Sequence, residues 1–142
     1  MPKKQYWLVK QEPTAYPWSQ LVEDGETMWD GVRNYQARNN LKAMKKGDNV
    51  LYYHSVKGCE VVGTCEVVRE HYPDPTTEDD RWVVVDLAAR KALKNPVTLA
   101  DIKAEPALAE IALIRQSRLS VMPVEKAEYD LILKMGRQGG TR

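Results

Sequence analysis

Three segments in the middle of the chain, residues 50–54, 61–68 and 82–87, are dense in valine and aromatic residues. These residue types favour strands, because their side chains pack well on a pleated surface. The pair Lys57-Gly58 separates the first two segments and predicts a hairpin. Gly63 lies inside the second segment, where it predicts a bulge or a tight bend. The chain must therefore fold around a small, bent antiparallel sheet.

The rest of the sequence predicts further strands and several helices around that sheet. Across residues 34–44, the apolar side chains of Ala37, Leu41 and Met44 recur at helical spacing. Thr98, with an acidic residue three positions later, resembles a capping box at the start of a short helix. The other predicted elements are strands at 6–9, 27–29 and 120–122, and helices at 18–22, after Pro106, and at 124–135 with Gly136 as C-cap. Strands flanked by helices indicate the α+β class with a small curled sheet.

The length of 142 residues fits a single domain, since domains commonly have about 100–150 residues. No run of about 18 apolar residues occurs, which excludes a transmembrane helix, and the first residues do not resemble a signal peptide. We expect a soluble, cytoplasmic, monomeric protein with no membrane partner. Residues 1–136 form the predicted domain, and residues 137–142 (RQGGTR) form a predicted disordered tail.

Metal binding and nucleophilic catalysis find little support in the sequence. The cysteines and histidines, at positions 54, 59, 65 and 71, lack the spacing of a zinc site, so we expect no metal and no cofactor. His54 and Ser55 are neighbours in a predicted strand and point to opposite faces, so they cannot act as base and nucleophile. Lys10 and Glu12 share a face of the first strand, and a salt bridge between them is favoured over an acid–base pair. No catalytic residue is predicted.

The formal net charge is only +1, but the charges are unevenly distributed. Residues 31–59 carry six basic side chains against the single acid Asp48, whereas residues 60–86 are strongly acidic. A nearly neutral protein can thus present one basic face to a phosphate backbone. The alternative is ordinary solvated charge on helix surfaces. The predicted phosphate-binding residues are Arg33, Arg38, Lys42, Lys45 and Lys57.

Four segments combine flat aromatic rings with polar side chains. The chain has four tryptophans and seven tyrosines but no phenylalanine. Rings for stacking, an amide that can read a base edge and cations for phosphate are what a protein needs to hold a base outside the stack. The alternative is that Trp18 and Trp29 are core residues. The segments are 12–18 (EPTAYPW), 29–34 (WDGVRN), 52–55 (YYHS) and 118–120 (RLS).

At these residues the chain resembles the EVE domain family. The resemblance covers nearly the whole chain, in the family's order, and WDGVRN-x-QARNNL is its most specific part. It implies a PUA-like fold, a small β-barrel edged by helices, and a relationship to YTH domains, which hold a methylated adenine in an aromatic cage. The motifs are YWLVKQEPTAYPW (6–18), WDGVRNYQARNNLKAMKKGD (29–48), YYHS (52–55), VVGTCEVV (61–68), YPDP (72–75) and RQSRLSVMPV (115–124).

The resemblance also implies roles for individual residues. Trp29 is similar to the cage tryptophan of the YTH relatives, and Asn34 to the asparagine that reads their base. Tyr16 and Trp18 belong to the EPxxYxW signature, which the YTH relatives lack. Lys10 matches a lysine at the end of their first strand. The predicted base-binding pocket comprises Lys10, Glu12, Tyr16, Trp18, Trp29, Asn34, His54, Ser55, Arg118 and Ser120.

The resemblance implies a reader of a modified base, flipped or unpaired, that catalyses no reaction. Modified cytosine in DNA is the first expected ligand, methyladenine is the second, and RNA is a possible carrier. The rival hypothesis is a hydrolase, because PUA-like proteins of the ASCH type hydrolyse acylated cytidine with a lysine, a threonine and a glutamate. Lys10 and Glu12 could imitate part of that set, but Thr14, beyond Pro13, is a poor match for its threonine. A protein-interaction module without a nucleic-acid ligand is a third, weaker hypothesis.

Overall fold

A computed structural model describes residues 5–56 and 58–138 of the chain. These residues form six strands, five α-helices and one 3-10 turn around a single core. The elements are β1 (Tyr6–Gln11), α1 (Trp18–Asp24), β2 (Glu26–Met28), α2 (Tyr35–Ala43), β3 (Asn49–His54), β4 (Glu60–Pro73), β5 (Val83–Thr98), α3 (Leu99–Ala104), the 3-10 turn (Pro106–Leu108), α4 (Ala112–Arg115), β6 (Val121–Val124) and α5 (Lys126–Gln138). No helix in these two ranges is long and apolar enough to cross a membrane.

The strands form one mixed sheet in the order β2-β5-β4-β3-β1-β6. Only β1 and β3 run parallel, and every other neighbouring pair is antiparallel. Register shifts interrupt the pairing of β4 with both of its neighbours, and such irregularities bend and twist a sheet. The α+β class and the curled PUA-like sheet are confirmed, although the edge strands β2 and β6 do not pair with each other within the described residues.

Several elements extend beyond their predicted ends, among them β1, β4, β5 and α5. β5 continues to Thr98, although residues 88–98 contain alanine, lysine and Pro96. β2 pairs with β5 only as far as Ala88, so beyond that residue one edge of β5 is open among the described residues and tolerates proline. The predicted C-cap at Gly136 is wrong, because α5 continues to Gln138. A Cβ on Gly136 would lie 3.1 Å from Leu93, so glycine allows the helix to pack closely there. Residues 137 and 138, predicted to be disordered, continue α5, and residues 139–142 lie outside the described residues.

The buried carboxylate of Asp48 ties β1 to the turn before β3. It accepts hydrogen bonds from the backbone N–H of Gln5 at 3.1 Å, the backbone N–H of Lys45 at 2.9 Å and the indole Nε1 of Trp7 at 3.0 Å. Three donors satisfy a carboxylate that would otherwise be costly to bury. This contact fixes the parallel pair β1–β3, and the candidate site lies at the end of that pair.

The bend at Gly63 is confirmed, and it has a specific neighbour. The β3–β4 register shifts between Tyr52 and Tyr53, opposite Gly63. A Cβ on Gly63 would lie 2.5 Å from the ring carbons of Trp18, a distance that real Cβ atoms essentially never show. Glycine at this position therefore lets the Trp18 indole lie directly on the β4 backbone.

We expect Gly63→Ala to destabilise the protein by about 1–3 kcal/mol, the usual cost of overpacking a well-packed core. In a Trp18→Ala background the same substitution should cost much less, because the indole that it meets is gone. Urea denaturation of the four proteins in this double-mutant cycle measures the coupling energy. Additive effects of the two substitutions would show that the indole does not require the glycine.

Candidate functional site

Three adjoining cavities lie around the end of β1. The main cavity has a volume of about 490 Å³ and contains five of the predicted pocket residues. The Trp29 cavity, of about 260 Å³, is lined by Trp29, Tyr16 and Asp30 among others and shares Gln11 with the main cavity. The Asn34 cavity, of about 320 Å³, shares Arg118 with the main cavity. The five predicted residues in the main cavity are Lys10, Glu12, Ser55, Arg118 and Ser120.

Lys10 connects β1 to the segment before β6 and supplies a cation to the main cavity. Its backbone N–H donates to the carbonyl of Ser120 at 2.9 Å, and its Nζ donates to the carbonyl of Ser117 at 2.7 Å. Burial lowers the pKa of Lys10, and its Nζ lies 5.8 Å from the centre of the Tyr53 ring. The predicted salt bridge with Glu12 is wrong for the described structure, because β1 ends at Gln11 and Glu12 has left the strand.

The aromatic residues form a cluster around Tyr52, which belongs to the 52–55 segment but was not among the predicted pocket residues. The rings of Trp18 and Trp29 each meet the Tyr52 ring edge-on, with centroids 5.5 Å apart. Trp29 is only 4% exposed and belongs to the core, yet it also lines the Trp29 cavity. The half-buried Tyr16 lines the same cavity, and its hydroxyl donates to Asp24 at 2.6 Å. Most of the Trp29 side chain is therefore buried in the core, as the alternative interpretation predicted. The small remainder of its surface lines the Trp29 cavity.

Asn34 and His54 each place their acceptor atom on a helix N-terminus. The Oδ1 of Asn34 accepts from the backbone N–H of Ala37 at 2.9 Å and caps α2. The Nε2 of His54 accepts from the backbone N–H of Trp18 at 3.0 Å, at the start of α1. The single lone pair of His54 Nε2 is consequently occupied and cannot read a base edge without giving up this contact, whereas the Asn34 oxygen can accept a second hydrogen bond. The amide nitrogen of Asn34 has no partner among the described residues, and Asn34 lines its own cavity.

Asp74 organises the loop that follows Trp29, and sequence reasoning missed it. Its carboxylate accepts from the backbone N–H of Gly31 at 3.2 Å, from Arg33 at 2.9 Å and from the N–H and hydroxyl of Thr76 at 2.8 and 2.5 Å. Burial alone would raise the pKa of Asp74, but the hydrogen bonds from Thr76, Arg33 and Gly31 lower it to about 2. Arg33, predicted to bind phosphate, thus forms an ion pair with Asp74.

The other predicted phosphate ligands lie on α2 and just beyond it. The Arg38 guanidinium lies 5.0 Å from the centre of the Tyr35 ring and bonds to Asn39. Lys45 lies 4.0 Å from Glu70, and the exposed Lys42 has no ion-pair partner among the described residues. Lys57 lies outside the described residues.

The described residues offer no metal centre at this site, because no group of His, Cys, Asp or Glu among them could hold a metal ion. In the same residues every fully buried polar side-chain atom has a hydrogen-bond partner. The main cavity also contains residues that sequence reasoning did not select, namely Gln11, Tyr53, Val56, Cys59, Leu99, Leu113 and Ser117.

Comparison with known proteins finds a matching family and similar sequences and structures. The EVE domain family matches residues 5–135. Mouse thymocyte nuclear protein 1 is 34% identical over 92% of this chain and 73% of that protein. The NMR structure of Rpa0253 from Rhodopseudomonas palustris is 50% identical, with a TM-score of 0.89 over 97% of this chain and 95% of that one. The crystal structure of human THYN1 in complex with DNA containing 5-methylcytosine is 32% identical, with a TM-score of 0.86 over 94% of this chain and 98% of that one.

The partly buried position of His54 predicts that stability depends on pH. Burial lowers the pKa of His54, and the carboxylate of Glu60 opposes the shift only in part. A lowered pKa means that the contribution to stability is complete above the unfolded-state value of about 6.5 and is lost as the pH falls through the folded-state pKa. We expect the free energy of unfolding to fall for this reason as the pH is lowered below about 6.5.

His54→Gln should remove that part of the pH dependence, because a glutamine carbonyl can accept the hydrogen bond from the Trp18 N–H without titrating. His71→Gln is the matched control, since His71 is exposed. Urea denaturation at a series of pH values compares the three proteins. A His54→Gln slope equal to that of the wild type would contradict the assignment.

Proposed function

This chain belongs to the EVE domain family, and from that premise we propose that it binds nucleic acid carrying a modified base. Modified cytosine in DNA is the ligand proposed first, and methyladenine, in DNA or RNA, is the second. The observation that carries the proposal is the complex of human THYN1 with DNA containing 5-methylcytosine, since that protein superposes on 94% of this chain with a TM-score of 0.86.

The base would occupy the Trp29 cavity. Tyr16 and Trp29 supply flat rings there, and Gln11, Thr27 and Asp30 supply polar atoms that a base edge can meet. Stacking on an aromatic side chain contributes about 1–3 kcal/mol per base. That gain is comparable to the few kcal/mol that it costs to take a base out of a duplex, so a single stacked base could offset most of that cost.

The sugar and phosphate next to that base would lie in the main cavity, which adjoins the Trp29 cavity at Gln11. Lys10 and Arg118 supply cations there, and Ser55, Ser117 and Ser120 are neutral polar residues beside them. Such contacts hold the backbone in register without reading the sequence. Arg38, Lys42 and Lys45 would meet phosphates further along the strand.

A hydrolase remains the second candidate, because Lys10 and Glu12 both line the main cavity. The ASCH-type set also needs a threonine, and no threonine lines the main cavity among the described residues. Lys10 already donates to the Ser117 carbonyl, a contact that suits positioning better than proton transfer. Release of product from acylated cytidine, abolished by Lys10→Ala, would favour the hydrolase over the reader.

Tyr16→Leu should weaken binding of an oligonucleotide with one 5-methylcytosine at least fivefold, since it removes a stacking surface worth about 1–3 kcal/mol. Trp29→Ala would be less informative, because removing a buried tryptophan costs about 3–5 kcal/mol of stability by itself. Tyr35→Leu is the matched control, as Tyr35 is exposed on α2 and outside the Trp29 cavity. Fluorescence anisotropy measures binding, and circular dichroism checks the fold. Equal losses in the two variants would refute the placement of the base.

The role of Arg118 is tested by the salt dependence of binding. Each phosphate neutralised on B-DNA contributes about −0.9 to the slope of log K against log salt. Arg118→Gln should therefore make the slope less steep by about one contact, on modified and unmodified strands alike. Neutralising Arg38, Lys42 and Lys45 together should make the slope of log K against log salt less steep only on longer duplexes. Lys134→Gln, an exposed lysine on α5, is the control, and an Arg118→Gln slope as steep as that of the control would exclude Arg118 from the phosphate site.

A further inference from the structure

A fourth cavity, of about 340 Å³, lies between the later part of β5 and α5. We call it the β5–α5 cavity, and it shares no lining residue with the three cavities of the candidate site. Leu93 on β5 and Leu133 on α5 form apolar walls. Its volume and lining are those of a small-molecule site, which combines apolar walls with a few converging polar groups.

Three cations line this cavity without a counter-ion. Lys91 and Lys94 come from β5, and Arg137 comes from α5. Within the described residues none of the three forms an ion pair, and no acidic residue lines the cavity. A bound anion would supply the counter-ion that the described residues do not provide.

Tyr129 lines the same cavity. It is only 7% exposed, and burial raises its pKa to about 12, so its hydroxyl is a proton donor at neutral pH. That hydroxyl has no hydrogen-bond partner among the described residues. Because every fully buried polar side-chain atom described has a partner, the hydroxyl must reach open space, and the β5–α5 cavity is an opening that Tyr129 lines.

We propose that the β5–α5 cavity is a second binding site, for a small organic anion with an apolar body and a phosphate or carboxylate head. The body would lie between Leu93 and Leu133. The head would receive charge-assisted hydrogen bonds from the three cations and a hydrogen bond from the Tyr129 hydroxyl. This site is separate from the proposed reader site and does not depend on it.

Titration of the ¹⁵N-labelled chain with phenyl phosphate tests the site by NMR. We expect saturable shifts of amides in residues 91–94 and 129–137, and little change in residues 10–34. Inorganic phosphate tests the head alone and benzyl alcohol the body alone, and each should bind at least about tenfold more weakly than phenyl phosphate. Absence of saturable shifts, or equally tight binding of inorganic phosphate, would overturn the proposal.

Variants then assign the contacts. Arg137→Gln and Lys94→Gln should each weaken phenyl phosphate binding about tenfold, as expected when a hydrogen bond to a charged group is lost. Lys134→Gln is the matched control on the same helix, exposed and outside the cavity lining. Tyr129→Phe keeps the ring and should weaken binding severalfold. Equal effects of Lys134→Gln and Arg137→Gln, or displacement of phenyl phosphate by a 5-methylcytosine oligonucleotide, would refute a separate site.

Discussion

The buried ring of Tyr52 is the contact on which the candidate site depends. It is fully enclosed, and Trp18, Trp29 and His54 all meet it edge-on. Its hydroxyl donates to the backbone carbonyl of Tyr16 and thereby holds the turn before α1 against β3. Burial raises the pKa of Tyr52, so the hydroxyl remains a donor. Tyr52 therefore contacts the Trp29 ring and the Tyr16 backbone, and both of those residues line the Trp29 cavity. In the proposed complex, rings that are already held in place would lose less entropy when the base binds.

Local patterns were sufficient to predict most of the fold, because short strands and amphipathic helices are encoded by neighbouring residues. The helical stripe of α2 and the bend at Gly63 are examples. What could not be predicted depends on contacts between distant residues. The second half of β5 pairs with β4 at residues 91–92 and 97–98, and α5 packs close to Leu93 at Gly136.

The clustering of the predicted pocket residues was predictable, but the contacts of the individual residues were not. Eight of the ten predicted pocket residues line one of the three adjoining cavities, as the shared motifs implied. Their hydrogen bonds, however, depend on partners far along the chain. Arg33 is held by Asp74, 41 residues away, and His54 by the N–H of Trp18, 36 residues away. The presence of a histidine or an arginine in a sequence does not indicate which distant residue it will contact.

The composition of the Trp29 cavity limits how the proposed reader could discriminate between bases. One added methyl group in an apolar site is worth about 1–3 kcal/mol at most. A buried polar group left without a partner costs about the same, and a mismatched base edge leaves several such groups. Gln11, Thr27 and Asp30 would therefore select the base, and the rings of Tyr16 and Trp29 would add a smaller preference for its modification. A reader built in this way separates one base from another more strongly than it separates a methylated base from its unmethylated form.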